Sequence, residues 1–117
     1  MPSPFIPDGY TKDATIEVNG FDPVQITYRP MLRGDADRLL WGAHGARQRG
    51  EDGPLQYWEK LTCDSVAKQI VSWSLLDQNG KPVRISGDSV ARLKGPFFNE
   101  LYNKVAGYAD EEADAKN

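Results

Sequence analysis

The stretch IVSWSLLDQNGKPVRISGDSVARLKGPFFNELYNKV, residues 70–105, does most to decide how this chain folds. Its pattern predicts the end of a helix, then a tight hairpin at Asn79-Gly80, then two short helices that meet at Gly95-Pro96. Gly95 ends the first of these helices, and Pro96 opens the second, where its missing amide hydrogen costs nothing. This order of elements describes a compact scaffold and contains no constellation typical of catalysis.

The hairpin is predicted to join residues 74–78 to residues 81–85 through a two-residue turn. Asn-Gly is the strongest short-range signal for a type I′ turn, because both central residues of that turn need positive φ angles. Pro82 cannot donate a hydrogen bond to a neighbouring strand. Its strand is therefore expected to be very short or to lie at a sheet edge.

The helix before the hairpin is the strongest helical signal in the chain. It is predicted to begin at Pro54 and to reach Trp73, because apolar side chains recur every three or four residues. The members of this stripe are Leu55, Trp58, Thr62, Val66, Ile70 and Trp73. Trp58 and Trp73 are expected to pack in the core.

The two helices after the hairpin have local boundary signals. Ser86 or Asp88 is suited to cap the first, a helix of one to two turns. Gly107 is suited to the left-handed residue that ends the second. The second helix carries an apolar stripe at a spacing of four residues, formed by Phe97, Leu101 and Val105.

The first part of the chain predicts a β-hairpin and a weak helix. Residues 15–18 and 24–28 alternate polar and apolar side chains, and the predicted buried face consists of Ile16, Val18, Val24, Ile26 and Tyr28. Asp35 is the predicted N-cap of the following helix. Gly42 and Gly45 each weaken that helix by about 1 kcal/mol relative to alanine, so it is expected to be short or frayed.

These elements predict a small single-domain α+β fold with an N-terminal β-hairpin, three to four helices and a second short β-hairpin after the long helix. A chain of 117 residues suits one hydrophobic core. Residues 1–12 are predicted to form an extended arm, residues 13–108 the domain, and residues 109–117 a disordered acidic tail.

The net charge of −3 is concentrated at the end of the chain. Four of the 17 acidic residues but only one of the 14 basic residues follow Tyr108, so the rest carries 13 of each. Nucleic-acid binding requires a basic face, and the sequence shows none, so no nucleic-acid partner is expected. No apolar run approaches the roughly 20 residues that cross a bilayer. The start of the chain lacks the pattern of a secretory signal, so a cytoplasmic protein is expected.

The sequence offers no candidate catalytic residue, cofactor site or metal site. His44 is the only histidine and Cys63 the only cysteine, which excludes a multi-histidine metal site and an internal disulfide. Cys63 is expected to be a buried, inert thiol, because no neighbour in the sequence would lower its pKa. We therefore do not expect an enzyme.

Trp41 differs from the other two tryptophans. It stands beside Gly42 on the weak helix and is expected to be partly exposed. A contact with a partner and a simple packing role are about equally compatible with this position, since aromatic residues dominate many interfaces.

Several short motifs resemble small proteins encoded with the tail genes of long-tailed bacteriophages and prophages. The chain has FIPDGYTK at residues 5–12, Tyr-Arg-Pro at residues 28–30 and IVSWSL at residues 70–75. A hairpin of the form Asp-x-x-Gly-x-Pro follows at residues 77–82. Over roughly residues 5–107 the chain resembles a tail assembly chaperone of that group.

The resemblance implies a binding role without chemistry. Such chaperones coat the long helical tape measure protein and keep it soluble until tail tube subunits polymerise around it. The implied partners are thus the tape measure protein, the tail tube protein and a second copy of the chain. The contact would need an exposed apolar patch of limited size. The candidate residues are Leu40 and Trp41 on the weak helix and Phe98 and Tyr102 on the last helix.

Two alternatives remain open from the sequence. A structural tail or head–tail connector accessory protein would be part of finished particles, whereas a chaperone would be absent from them. A regulatory or toxin-neutralising protein would bind a partner unrelated to tails. Within the chaperone hypothesis, Trp41→Ala is expected to spare folding and to weaken binding of the tape measure protein.

Overall fold

The computed structural model describes residues 5–50 and 52–108, apart from the side chains of residues 52–55. Along the chain the elements are β1 (Lys12–Ile16), β2 (Val24–Tyr28), α1 (Arg33–Arg49), α2 (Asp52–Gln69), β3 (Ile70–Trp73), α3 (Gly87–Ala91) and α4 (Gly95–Ala106). The described residues thus form a small α+β domain with four helices and a three-stranded antiparallel sheet, which confirms the predicted fold class.

The sheet has the strand order β1–β2–β3, so β2 lies in its centre. Alternating side chains turn one face of β2 into the core, and the buried members are Val24, Ile26 and Tyr28. Ile16 of β1 pairs with Val24 and is buried with it. The opposite face is polar, and there Thr27 Oγ1 donates a 2.7 Å hydrogen bond to Asp13 Oδ1.

The first strand lies earlier than its predicted range of residues 15–18. β1 runs from Lys12 to Ile16, and Lys12 pairs with Tyr28. Val18 follows the strand, and its carbonyl accepts a 3.1 Å hydrogen bond from the Phe21 amide in the connecting turn. The start of β1 depends on pairing with a strand further along the chain, which local alternation does not reveal.

The prediction that the long helix reaches Trp73 is wrong, because α2 ends at Gln69. Residues 70–73 form β3 instead and pair with β2, with Ile70 opposite Tyr28. Apolar spacing continues through this segment and fits a helix as well as a strand. The long-range pairing with β2, together with two β-branched residues at the start of β3, decides in favour of the strand.

The predicted start of the weak helix at an Asp35 N-cap is also wrong. α1 begins at Arg33, after Leu32 as an N-cap without a side-chain hydrogen bond, and continues for 17 residues. Asp35 lies inside the first turn, where a carboxylate interacts favourably with the helix dipole. Gly50, with φ 67°, ends the helix at its C-cap. α1 is therefore neither short nor interrupted.

A hairpin follows β3 as predicted, but its turn is not type I′. Among the described residues only glycines have positive φ, so Asn79 does not, whereas Gly80 has φ 77°. The Gly80 amide donates a 3.0 Å hydrogen bond to the Asp77 carbonyl, and the Asn79 amide donates a 2.8 Å bond to the Asp77 carboxylate. This arrangement is a type I turn followed by a left-handed glycine.

The arms of this second hairpin are short. They meet in an isolated bridge between Leu76 and Pro82, in keeping with the short strand predicted for Pro82. Trp73 joins the hairpin to the sheet, because its indole Nε1 donates a 2.8 Å hydrogen bond to the Val83 carbonyl. Trp73 and Trp58 are both partly buried against the core, as predicted.

Three boundary signals of the last two helices are confirmed, but the prediction that Gly95 ends the first of them is wrong. α3 ends at Ala91 with Arg92 as its C-cap, and Gly95 is the first residue of α4. Ser86 Oγ accepts a 3.1 Å hydrogen bond from the Ser89 amide and caps α3. Pro96 lies in the first turn of α4, and Gly107 ends that helix with φ 86°. Each signal acts within a few residues, which is why the sequence alone predicts it.

The apolar core lies between the sheet and the helices. It includes the buried face of the sheet, Val66 of α2, and Leu101 and Val105 of α4. Residues 5–11 precede β1 without forming a helix or strand and expose Phe5 to solvent. The rest of the predicted arm, residues 1–4, and the predicted acidic tail, residues 109–117, lie outside the described residues. Within the described ranges, no helix is both long and apolar enough to cross a membrane.

Candidate functional site

The four helices enclose a groove of about 840 Å³ that is open to solvent. Its lining presents more apolar than polar surface. Leu39 and Val90 lie buried at its base, and Leu40 is 43% exposed along its side. The volume falls within the range of roughly 300–1,000 Å³ that is typical of ligand sites. An open apolar groove of this size is suited to an elongated apolar ligand.

The first wall of the groove is formed by α1 and α2. The two helices are joined by a short turn at Gly50 and therefore run antiparallel. They pack closely because Gly42 has no side chain, and a Cβ atom there would lie 2.5 Å from the ring of Trp58. Ala43 and Cys63, beside this contact, line the groove.

The opposite wall is formed by α3 and α4. Phe97 and Leu101 of α4 are buried in the core. Phe98 and Tyr102, each one position further along the helix, are partly buried and line the groove. Their rings lie parallel with centroids 6.1 Å apart, which gives this wall a continuous aromatic surface.

Tyr108 lines the groove and links the end of α4 to α1. Its hydroxyl donates a 3.3 Å hydrogen bond to Asp37 Oδ1, and Asp37 Oδ2 lies 3.3 Å from Arg33 Nε. The Arg33 guanidinium carbon also lies 5.7 Å from the centroid of the Tyr108 ring. Three side chains thus connect the start of α1 to the end of α4.

The same contacts change the acidity of two phenols. Burial, followed by the neighbouring Tyr108 and Asp37, raises the pKa of Tyr102 to about 12. Burial and Asp37 also raise the pKa of Tyr108, against the opposing effect of Arg33. Both hydroxyl groups therefore stay protonated at neutral pH and remain hydrogen-bond donors.

The polar part of the lining is charged and lies mostly on α2 and α3. The charged lining residues are Arg47, Glu59, Lys60, Asp64 and Asp88. Two asparagines, Asn99 and Asn103, add amide groups along α4. The groove therefore combines an apolar floor with a polar rim, as protein-binding surfaces do.

Cys63 lines the groove and is partly buried. Burial raises the pKa of its thiol, and the carboxylates of Asp64 and Glu59 raise it further. Both effects disfavour the thiolate, which is the reactive form. Cys63 is thus a partly buried thiol whose pKa lies above its ordinary value.

The structure brings together three of the four residues that the sequence analysis singled out. Leu40, Phe98 and Tyr102 all line the groove. Trp41 is not among the lining residues, although it is 65% exposed as expected. Its ring lies edge-on to His44, with centroids 5.9 Å apart. Consecutive helical residues differ by about 100° in direction, which explains why Leu40 and Trp41 face different surfaces.

The sequence analysis missed the contributions of α2 and α3 to the lining. Among them are Gln56, Glu59, Ala91 and Leu93. Leu93 follows α3, and its place in the lining depends on how the helices pack. Glu59 is a polar residue on an exposed helix face, and no sequence pattern indicates whether such a residue lies beside a groove.

No group of three or more His, Cys, Asp or Glu residues that could hold a metal ion occurs in the part of the chain that the structure describes. In comparisons with known proteins, the chain matches no protein-family model, and neither a curated protein nor a solved structure matches it significantly.

Proposed function

We propose that this chain is a non-enzymatic tail assembly chaperone of a long-tailed phage or prophage that acts in the host cytoplasm. It binds an apolar helical segment of the tape measure protein in the groove between its own helices. The observation that carries this proposal is the convergence of Leu40, Phe98 and Tyr102 in one open apolar groove. The sequence resemblance supplies the identity of the partner.

The apolar lining of the groove supports a helical ligand. An α-helix with its side chains is about 10–12 Å across, and an amphipathic helix binds by laying its apolar stripe into such a groove. The aromatic wall formed by Phe98 and Tyr102 and the aliphatic side chain of Leu40 face this ligand from opposite sides.

The open mouth of the groove supports reversible binding. A ligand helix would bury one face and leave the other accessible to tail tube subunits. Since the contact area is limited, the tube protein can replace the chaperone as it polymerises. This combination of protection and release is what the assembly role requires.

Binding of the tape measure protein by the purified chain tests the proposal. We expect Leu40→Ala to weaken binding by about tenfold, because truncating an interface leucine removes apolar contact worth roughly 1–2 kcal/mol. Since Trp41 lies outside the groove lining, Trp41→Ala is now expected to leave the affinity unchanged. Circular dichroism and unfolding midpoints check that both variants are folded.

The opposite pattern, in which only Trp41→Ala weakens binding, would move the contact to the other surface of α1.

The alternative role, as a structural tail or head–tail connector accessory protein, is distinguished by whether the protein is present in finished particles. A chaperone is expected to be absent from purified virions by mass spectrometry. A tail or head–tail connector accessory protein would be found there in a fixed ratio to the tube protein.

A further inference from the structure

Asp37 contacts the groove lining without belonging to it. It lies on α1 almost one turn before Leu40, and it is not among the residues that line the groove. Its Oδ1 atom accepts the hydrogen bond from the Tyr108 hydroxyl, and its Oδ2 atom lies beside Arg33. Tyr108 itself lines the groove. Asp37 therefore acts on the groove through Tyr108.

Tyr108 connects this contact to the aromatic wall of the groove. Its ring centroid lies 6.2 Å from that of Tyr102, and the two rings are tilted by 53°. Burial is the main cause of the raised pKa of Tyr102, and a side-chain hydrogen bond with Tyr108 is a further cause. Tyr102 in turn lies parallel to Phe98. A continuous chain of contacts thus runs from the Asp37 carboxylate to the wall formed by α4.

This chain of contacts joins two helices whose main packing partners lie elsewhere. Among the described elements, α1 packs chiefly on α2, and α4 is not one of its main neighbours. Just before α1 begins, the Met31 amide donates a 3.0 Å hydrogen bond to the Val105 carbonyl. From Leu40 onward the groove separates α1 from α4. The contact between Asp37 and Tyr108 therefore lies where the two helices diverge.

We infer that Asp37 and Tyr108 are positioning residues for the binding groove. Their hydrogen bond fixes the start of α1 against the end of α4 and holds Tyr102 beside Phe98, so that the groove is formed before a ligand arrives. A preformed site loses less of its binding energy to the ordering of its own side chains. The inference rests on the proposed function for the identity of the ligand, whereas the state of the groove is measurable on the chain alone.

The reactivity of Cys63 reports whether the groove is formed. Cys63 is the only cysteine, lines the groove and is partly buried. A maleimide should therefore modify the native protein more slowly than the unfolded chain. Because thiol reactivity depends on pH, all variants are compared at one pH and without denaturant.

Two substitutions remove the hydrogen bond from either side. Asp37→Ala removes the acceptor, and Tyr108→Phe removes the donor but keeps the ring. The loss of one hydrogen bond should raise the labelling rate of Cys63 by roughly three- to tenfold in each variant. Because both variants lose the same bond, the double variant should be labelled about as fast as either single variant.

Two further variants of α1 serve as controls. Asp37→Asn keeps a carbonyl oxygen that can accept from Tyr108, so its labelling rate should stay within about twofold of the wild-type rate. Asp35→Ala removes an exposed carboxylate from the first turn of the same helix, without any part in the contact with Tyr108. Its effect on the urea unfolding midpoint should not be accompanied by faster labelling of Cys63.

Binding of the tape measure protein is measured separately. Asp37→Ala should weaken binding by several-fold although Asp37 does not line the groove, and Asp37→Asn should keep most of the wild-type affinity. If the wild-type chain does not bind the tape measure protein, the proposed function fails. The labelling rates would then still decide whether Asp37 and Tyr108 hold the groove in its formed state.

Four results would overturn the inference. Labelling of Asp37→Ala and Tyr108→Phe at the wild-type rate would show that their hydrogen bond does not hold the groove. Additive effects in the double variant would show that the two residues act separately. Equally fast labelling of Asp35→Ala would assign the effect to general destabilisation. A wild-type rate as high as that of the unfolded chain would show that the groove is not formed in advance.

Discussion

Gly42 illustrates how a single residue can be unfavourable locally and necessary in the fold. Glycine inside a helix costs about 1 kcal/mol relative to alanine, because its backbone loses more freedom on folding. In the folded chain its missing Cβ atom lets the ring of Trp58 approach the α1 backbone. The packing of α1 on α2 therefore depends on a glycine, a residue with low intrinsic helix propensity.

Gly42→Ala is expected to destabilise the protein, although alanine favours helices. The new Cβ atom would lie 2.5 Å from the Trp58 ring, and overpacking of this kind costs about 1–3 kcal/mol. The matched control is Gly34→Ala, also in α1, whose Cβ would meet no heavy atom within 4 Å. That change should be neutral or stabilising by up to about 1 kcal/mol. Urea unfolding midpoints measure both, and equal midpoints would contradict the close contact.

At the scale of elements, the turn between β3 and α3 shows how one backbone angle distinguishes two hairpin types. In a type I′ turn both Asn79 and Gly80 would need positive φ. In the structure only Gly80 has it, with φ 77°. The Asp77 carboxylate stabilises this form, because it accepts hydrogen bonds from the amides of Asn79 and Lys81.

Two alanine substitutions separate these turn types. Gly80→Ala is expected to cost about 1–2 kcal/mol, because a residue with a Cβ atom is strained in the left-handed region. Asn79→Ala should change the unfolding free energy by less than about 0.5 kcal/mol, since its φ is negative and its amide still donates to Asp77. Comparable losses in both variants, measured by denaturant unfolding, would instead favour the type I′ turn.

At the scale of the whole molecule, the Tyr102–Tyr108–Asp37 cluster couples stability to pH. The folded state raises the pKa of Tyr102 from 10.0 to about 12, mainly through burial. The folded protein therefore holds this proton more tightly than the unfolded chain does. The resulting stabilisation is fully present below pH 10 and is lost as the pH rises through about 12.

Tyr102→Phe is accordingly expected to reduce the loss of unfolding free energy between about pH 9 and about pH 11.5. The variant has no phenol to ionise at this position, whereas the wild-type protein has to bury a phenolate or unfold. Tyr57→Phe, at a tyrosine that is 62% exposed, serves as the control and should keep the wild-type pH dependence. Identical slopes for all three proteins would show that Tyr102 does not control the alkaline transition.

The local features of this protein follow from its sequence by itself. The Ser86 cap, Pro96 in the first turn of α4 and the left-handed Gly107 are all predicted correctly. The alternation of polar and apolar side chains along β2 likewise predicts which face of the strand is buried. Each of these features depends on interactions within a few residues or on a simple apolar periodicity. Together with the apolar stripes of the helices they are sufficient for the α+β class.

The tertiary structure decided the features that depend on distant partners. Ile70–Trp73 becomes a strand because β2 offers an unsatisfied edge, although its apolar spacing also fits a helix. α1 extends to Arg49 and packs closely on α2 through Gly42 and Trp58, contrary to its weak local signal. The groove forms only where the four helices meet. Which residues form its rim, and why Trp41 is absent from its lining, therefore depend on the directions in which the helices present their side chains and not on residue types. Side-chain direction and long-range pairing carry this information, and both arise only when the chain is folded.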